Sequence, residues 1–113
     1  SSKHPDKITV HKKTTFNYFI EFFKGKNKPY FNLIYIDACH DGRCVLSDAI
    51  FSFKALKVGG IIVFDDYLWK ETKKDYERPK IAIDAFINIF RDNVKITHRG
   101  YKLYIKKVKE YDF

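Results

Sequence analysis

The 113-residue chain predicts an α/β fold built on a mostly parallel sheet, and three observations carry that expectation. Two nearly continuous apolar runs, Phe31–Ile36 (FNLIYI) and Ile61–Phe64 (IIVF), read as strands buried on both faces, the habit of parallel sheets. Between them lies an amphipathic stretch of helical period. After them come a second helical stretch and an alternating pair that reads as a hairpin. Strands that alternate with helices imply right-handed crossovers and a layered α/β core.

Ile8–His11 (ITVH) is short and β-prone. Thr14 or Thr15 is placed to cap a helix beginning near Phe16, and Phe16, Phe19, Ile20 and Phe23 share one helical face. Gly25 stops that helix, and Lys26 to Pro29 is a basic turn. Phe31–Ile36 follows and ends on Asp37. His40, Asp41 and Gly42 form a loop. From Arg43 to Leu56, Val45, Leu46, Ala49, Ile50, Phe53 and Leu56 recur at steps of three and four residues, which is a helix with one apolar face. Gly59-Gly60 closes it, and the strand Ile61–Phe64 ends on Asp65-Asp66. Tyr67 to Lys80 reads as a polar loop. Pro79 suits a first helical turn, and residues 81–90 carry the next apolar stripe. Val94 and Ile96, then Tyr101, Leu103 and Ile105, alternate about Arg99-Gly100 as an antiparallel hairpin.

Composition limits the function classes. The chain is 45% hydrophobic and 18% aromatic, enough for a core, so intrinsic disorder is excluded. Its length suits a single domain over 1–113. No apolar run reaches the roughly 18–20 residues of a membrane helix, and the polar, basic stretch Ser1–Thr15 is no secretory signal. Cys39 and Cys44 form no disulfide framework and read as reduced thiols of a cytoplasmic protein. A zinc site on Cys39, His40 and Cys44 lacks a second ligand pair. Net charge is 22 − 14 = +8, but residues 31–70 carry four basic and five acidic groups. The basic excess therefore lies on the flanks. It forms no dense run or recognition motif, so it reads as a solvated face and nucleic acid is not the expected partner.

The acids gather where an α/β sheet binds ligands. Asp37 and His40 follow one buried strand, and Asp65 and Asp66 follow the next. Ligands of open α/β sheets sit beyond the carboxyl ends of the strands. Taken singly, each Asp reads as a loop or helix-cap residue, Asp66 as a partner for a nearby lysine, and His40 as a surface histidine. Taken together, on neighbouring strands about 4.8 Å apart, three carboxylates and an imidazole converge. Carboxylates so close call for a positive charge between them, and a hard divalent cation such as Mg²⁺ is the natural occupant.

The stretches Phe31–Asp41 (FNLIYIDACHD) and Leu56–Tyr67 (LKVGGIIVFDDY), with Asp48 on the helix between them, resemble the second half of class I S-adenosylmethionine-dependent methyltransferases. They are most similar to the metal-dependent macrocin-type O-methyltransferases, which methylate sugar hydroxyls. The resemblance runs from about residue 8 to 108. It implies a partial Rossmann-like sheet, with helices on both faces and the C-terminal hairpin. It implies that Asp37, Ala38 and Cys39 lie against S-adenosylmethionine, that Asp37, Asp65 and Asp66 hold Mg²⁺, and that His40 is the general base. Tyr67 and Trp69 would wall the pocket of a small-molecule acceptor, although aromatic residues after a strand serve as often in packing. The sequence contains no glycine-rich strand–turn–helix and no second strand ending in a ribose-binding acid, so the family's first two strands are lacking. Weak or absent binding of S-adenosylmethionine is expected. The chain, which starts on Ser1, reads as a portion of a longer enzyme or as an inactive module that serves in oligomerisation or binding. Without those two strands, Ile8–His11 has three fates: to pair beside Phe31–Ile36, to pair with another chain, or to stay loose. An unpaired flank on Phe31–Ile36 would favour homo-oligomers.

Overall fold

A computed structural model describes residues 6–10, 21–25, 28–37 and 40–113. Five strands form one sheet: β1 (Lys7–Val10), β2 (Phe31–Ile36), β3 (Leu56–Phe64), β4 (Val94–Arg99) and β5 (Leu103–Lys107). Their spatial order is β1-β2-β3-β5-β4. β1, β2 and β3 are parallel, while β5 runs antiparallel to both β3 and β4. Of the three fates of the first strand, pairing beside β2 is the one adopted. Asp6 anchors it, accepting from the Asn32 backbone N–H at 2.8 Å and from Asn32 Nδ2 at 2.6 Å.

Among the described residues, β2 leads to β3 through α1 (Gly42–Ala55), and β3 leads to β4 through α2 (Pro79–Ile89), the latter preceded by a 3₁₀ turn at Asp75–Glu77. Asp41 caps α1, accepting from the Arg43 N–H at 2.9 Å and so satisfying one of the donors that a helix start leaves over. Pro79 opens α2, where its missing N–H costs nothing. The two helices pack together through Phe53 and Phe86, and Phe86 also meets Phe64 of β3. The alternation of each strand sends Ile34, Ile36, Ile62, Phe64, Leu103 and Ile105 into this layer, all 2% exposed or less. Residues 21–25 are helical, and Phe22 stacks on Phe31 at 5.4 Å. The start expected for that helix, residues 14–20, lies outside the described residues.

The glycine pair does not close α1. The helix ends one residue earlier than its period suggests, and β3 starts at once with Leu56, whose backbone is extended. Lys107 explains the early stop. Its ammonium is fully buried and donates to the Phe53 and Leu56 carbonyls at 2.8 and 2.7 Å, and the Leu56 N–H also donates to the Phe53 carbonyl, so the junction of helix and strand is satisfied without a further turn. The pair instead falls in an irregularity inside β3. Phe31 faces Leu56 and Leu33 faces Ile61, so two steps along β2 oppose five along β3. Gly59 takes up the excess at φ +91°, in the left-handed region open to glycine.

Candidate active site

The register of the sheet builds the site. Ile36 is level with Phe64, and the Asp65 N–H donates to the Ile36 carbonyl at 3.1 Å. Asp37 and Asp65 therefore leave neighbouring parallel strands side by side. Phe64 is also level with Leu103 of β5, which brings Lys102 opposite Asp65.

Two groups of side chains form there. In the first, His40 Nε2 and Asp66 Oδ2 are 2.7 Å apart, and the imidazole lies flat on Trp69, with centroids 3.9 Å apart and planes 12° apart. The chain turns after Asp66, the Trp69 N–H donating back to the Asp66 carbonyl at 3.0 Å, and this turn folds the indole over the histidine. In the second, the Tyr35 hydroxyl donates to Asp65 Oδ1 at 2.8 Å and accepts from Lys102 Nζ at 2.7 Å, while Lys102 Nζ lies 3.5 Å from the same Asp65 oxygen. The bond to Tyr35 is the main cause holding the Lys102 ammonium above its usual range. Next to it, burial and then the charge of Asp66 push the Tyr101 phenol up.

The structure thus unites His40, Asp66 and Trp69 closely, with Asp65 and Asp37 on the adjacent strand ends. Ala38 and Cys39 lie outside the described residues. Tyr67 is 3% exposed and its hydroxyl donates to Asp84 of α2, so among the described residues it packs in the core. Burial and the Asp84 carboxylate raise its phenol. Sequence reasoning missed Tyr35, Tyr101 and Lys102. Tyr35 looked like one more residue of an apolar strand, and the hairpin turn looked like a mere connection.

The fit of a metal depends on the donors. Among the described residues, no group of three His, Cys, Asp or Glu side chains is arranged to hold an ion. Asp65 is engaged by Tyr35 and Lys102, and Asp66 by His40. Mg²⁺ demands near-octahedral oxygen ligands at about 2.0–2.1 Å. As arranged, these residues do not suit it.

The strand order and the alternation of strands with helices are those of a Rossmann-like methyltransferase sheet. The chain belongs to the family of methyltransferase domains, whose model matches residues 1–67. Solved structures share the fold, two among them as follows. One is described as an O-methyltransferase from Bacillus cereus in complex with SAH, with a TM-score of 0.58 and 19% identity over 83% of this chain and 47% of that one. The other is a protein from Corynebacterium glutamicum, with a TM-score of 0.55 and 15% identity over 83% of this chain and 46% of that one. The chain spans about half the length of these structures. No curated protein sequence matches it. Among the described residues, no helix is long and apolar enough to cross a membrane.

Proposed function

We propose that the chain is the acceptor-side portion of a cytoplasmic S-adenosylmethionine-dependent O-methyltransferase that acts on a hydroxyl of a small molecule or sugar. The observation that carries this reading is the bond between His40 and Asp66 at the strand ends. A carboxylate on Nε2 favours the tautomer with the proton on that nitrogen, which leaves the Nδ1 lone pair to accept another. His40 is exposed enough for an acceptor to reach. Trp69 fixes the ring and offers an aromatic surface beside it.

In the reaction, His40 takes the proton of the acceptor hydroxyl. Bound S-adenosylmethionine would then give up its methyl group to that oxygen, a C–O bond forming as the C–S electron pair leaves on sulfur. Positioning supplies most of the acceleration in such an in-line transfer. When bound, S-adenosylmethionine supplies the methyl group, and Asp37, Ala38 and Cys39 are the residues that would face it. The macrocin-type resemblance adds a magnesium ion on Asp37, Asp65 and Asp66. That ion would first have to displace Tyr35, Lys102 and His40 from the carboxylates, so no step is routed through it.

The test is methyl transfer from labelled S-adenosylmethionine to a panel of hydroxyl acceptors. His40→Ala is expected to lower the rate about 10²–10⁴-fold, the usual worth of a general base. An unchanged rate in that variant would overturn the role of His40. Absence of turnover together with a stable oligomer in sedimentation would favour the inactive module, assembled from copies of this chain along an outer strand of the sheet.

A further inference from the structure

We propose that Lys102 is the resident cation of the acidic strand ends, linked to Asp65 through the Tyr35 hydroxyl, and that it occupies the role a divalent metal would otherwise take. The inference rests on the methyl-transfer reading only for the identity of the acceptor; the charge arrangement stands apart from it.

Three carboxylates leave two adjacent strands here, and like charges at that spacing need a counter-charge. The structure supplies one from a third strand. Lys102 is opposite Asp65 because β5 lies antiparallel to β3, and Tyr35 is next to both because β2 lies on the other side of β3. The three residues make a closed triangle: hydroxyl to carboxylate at 2.8 Å, ammonium to hydroxyl at 2.7 Å, ammonium to carboxylate at 3.5 Å. The ammonium also lies 5.1 Å from the Tyr35 ring centroid, where the electron-rich face attracts it. A dication entering among the acids would meet this ammonium at short range and lose the oxygens that Tyr35 and His40 already hold. Lys102 is half exposed, so its charge also faces the space above the strand ends.

Mn²⁺ titration followed by electron paramagnetic resonance reads this directly, with no need for turnover. Lys102→Met is expected to bind Mn²⁺ at least about tenfold more tightly than the wild type, the scale of removing a unit charge a few ångströms from the ion. Lys102→Arg should return the affinity to the wild-type level, and Lys102→Met with Asp65→Asn should abolish the gain. Tyr35→Phe keeps both charges but cuts the link, and a smaller gain is expected. Equal affinity in the wild type and Lys102→Met, whether tight or absent, overturns the proposal. Wild-type affinity in Tyr35→Phe removes the hydroxyl from it and overturns the triangle. Methyl transfer by the wild type with no metal-dependent change would agree with the proposal. Loss of transfer in His40→Ala, by contrast, bears only on the functional reading above.

Discussion

Asp48 is the residue whose environment has the clearest energetic consequence. It is 3% exposed on the inner face of α1, and among the described residues its carboxylate accepts from Cys44 Sγ at 3.8 Å, a weak donor. Burial pushes its carboxyl up from 3.8 to about 7. The folded chain therefore holds this proton over a range where the unfolded chain has lost it. Stability falls as pH rises through that range, and the cost of the buried charge is complete above pH 7. Asp48→Asn should unfold at higher urea than the wild type at pH 8, by about 2–4 kcal/mol, and the gap should close towards pH 4. Asp41 has the opposite sign. The Arg43 guanidinium holds it down to about 2, so its contribution is lost only as pH falls below the usual carboxylate range. At this scale the placement of His40, Asp65 and Asp66 beyond the strand ends was legible, because two apolar runs end before them. The sequence was silent on Lys102 and Tyr35, whose roles depend on which strands become neighbours.

Among the elements, α1 has the most constrained start. Asp41 caps it, and Gly42 is buried against the 3₁₀ turn that leads to α2. A Cβ on Gly42 would come 2.5 Å from the Tyr76 carbonyl, which is backbone and cannot rotate away. Gly42→Ala should therefore separate α1 from the turn and lower stability by about 1–3 kcal/mol in thermal unfolding, the usual cost of overpacking. Gly42 had read only as part of a loop, because a close approach between distant segments leaves no local pattern. Both helices and the hairpin were legible to within two or three residues, because their apolar periods are strong. The end of α1 was misread at Gly59-Gly60. Two glycines suggest a helix stop, but the stop is supplied by a lysine from the last strand, and the glycines serve the irregular pairing of β2 with β3.

Across the whole molecule, that lysine joins the end of the chain to its middle. Lys107 is buried on β5, lies 4.3 Å from the Phe53 ring centroid, and donates to two carbonyls at the junction of α1 and β3. Burial lowers its ammonium, and Glu110 at 2.7 Å offsets part of that cost. Lys107→Ala would leave a void and take a donor from two buried carbonyls, of which that of Phe53 keeps the Leu56 N–H. A loss of about 3 kcal/mol or more is expected in urea unfolding. The α/β class followed from alternation alone. The order β1-β2-β3-β5-β4 did not, since local patterns do not say that β5 enters between β3 and β4, and that insertion is what delivers Lys102 to the acids. Trp69 gives the arrangement a further use. It is the single tryptophan of the chain and lies face to face with His40. All indole emission therefore comes from one position in the candidate site. A proton on the imidazole or an occupant that separates the two rings would change that light, making the protein its own optical reporter of what enters.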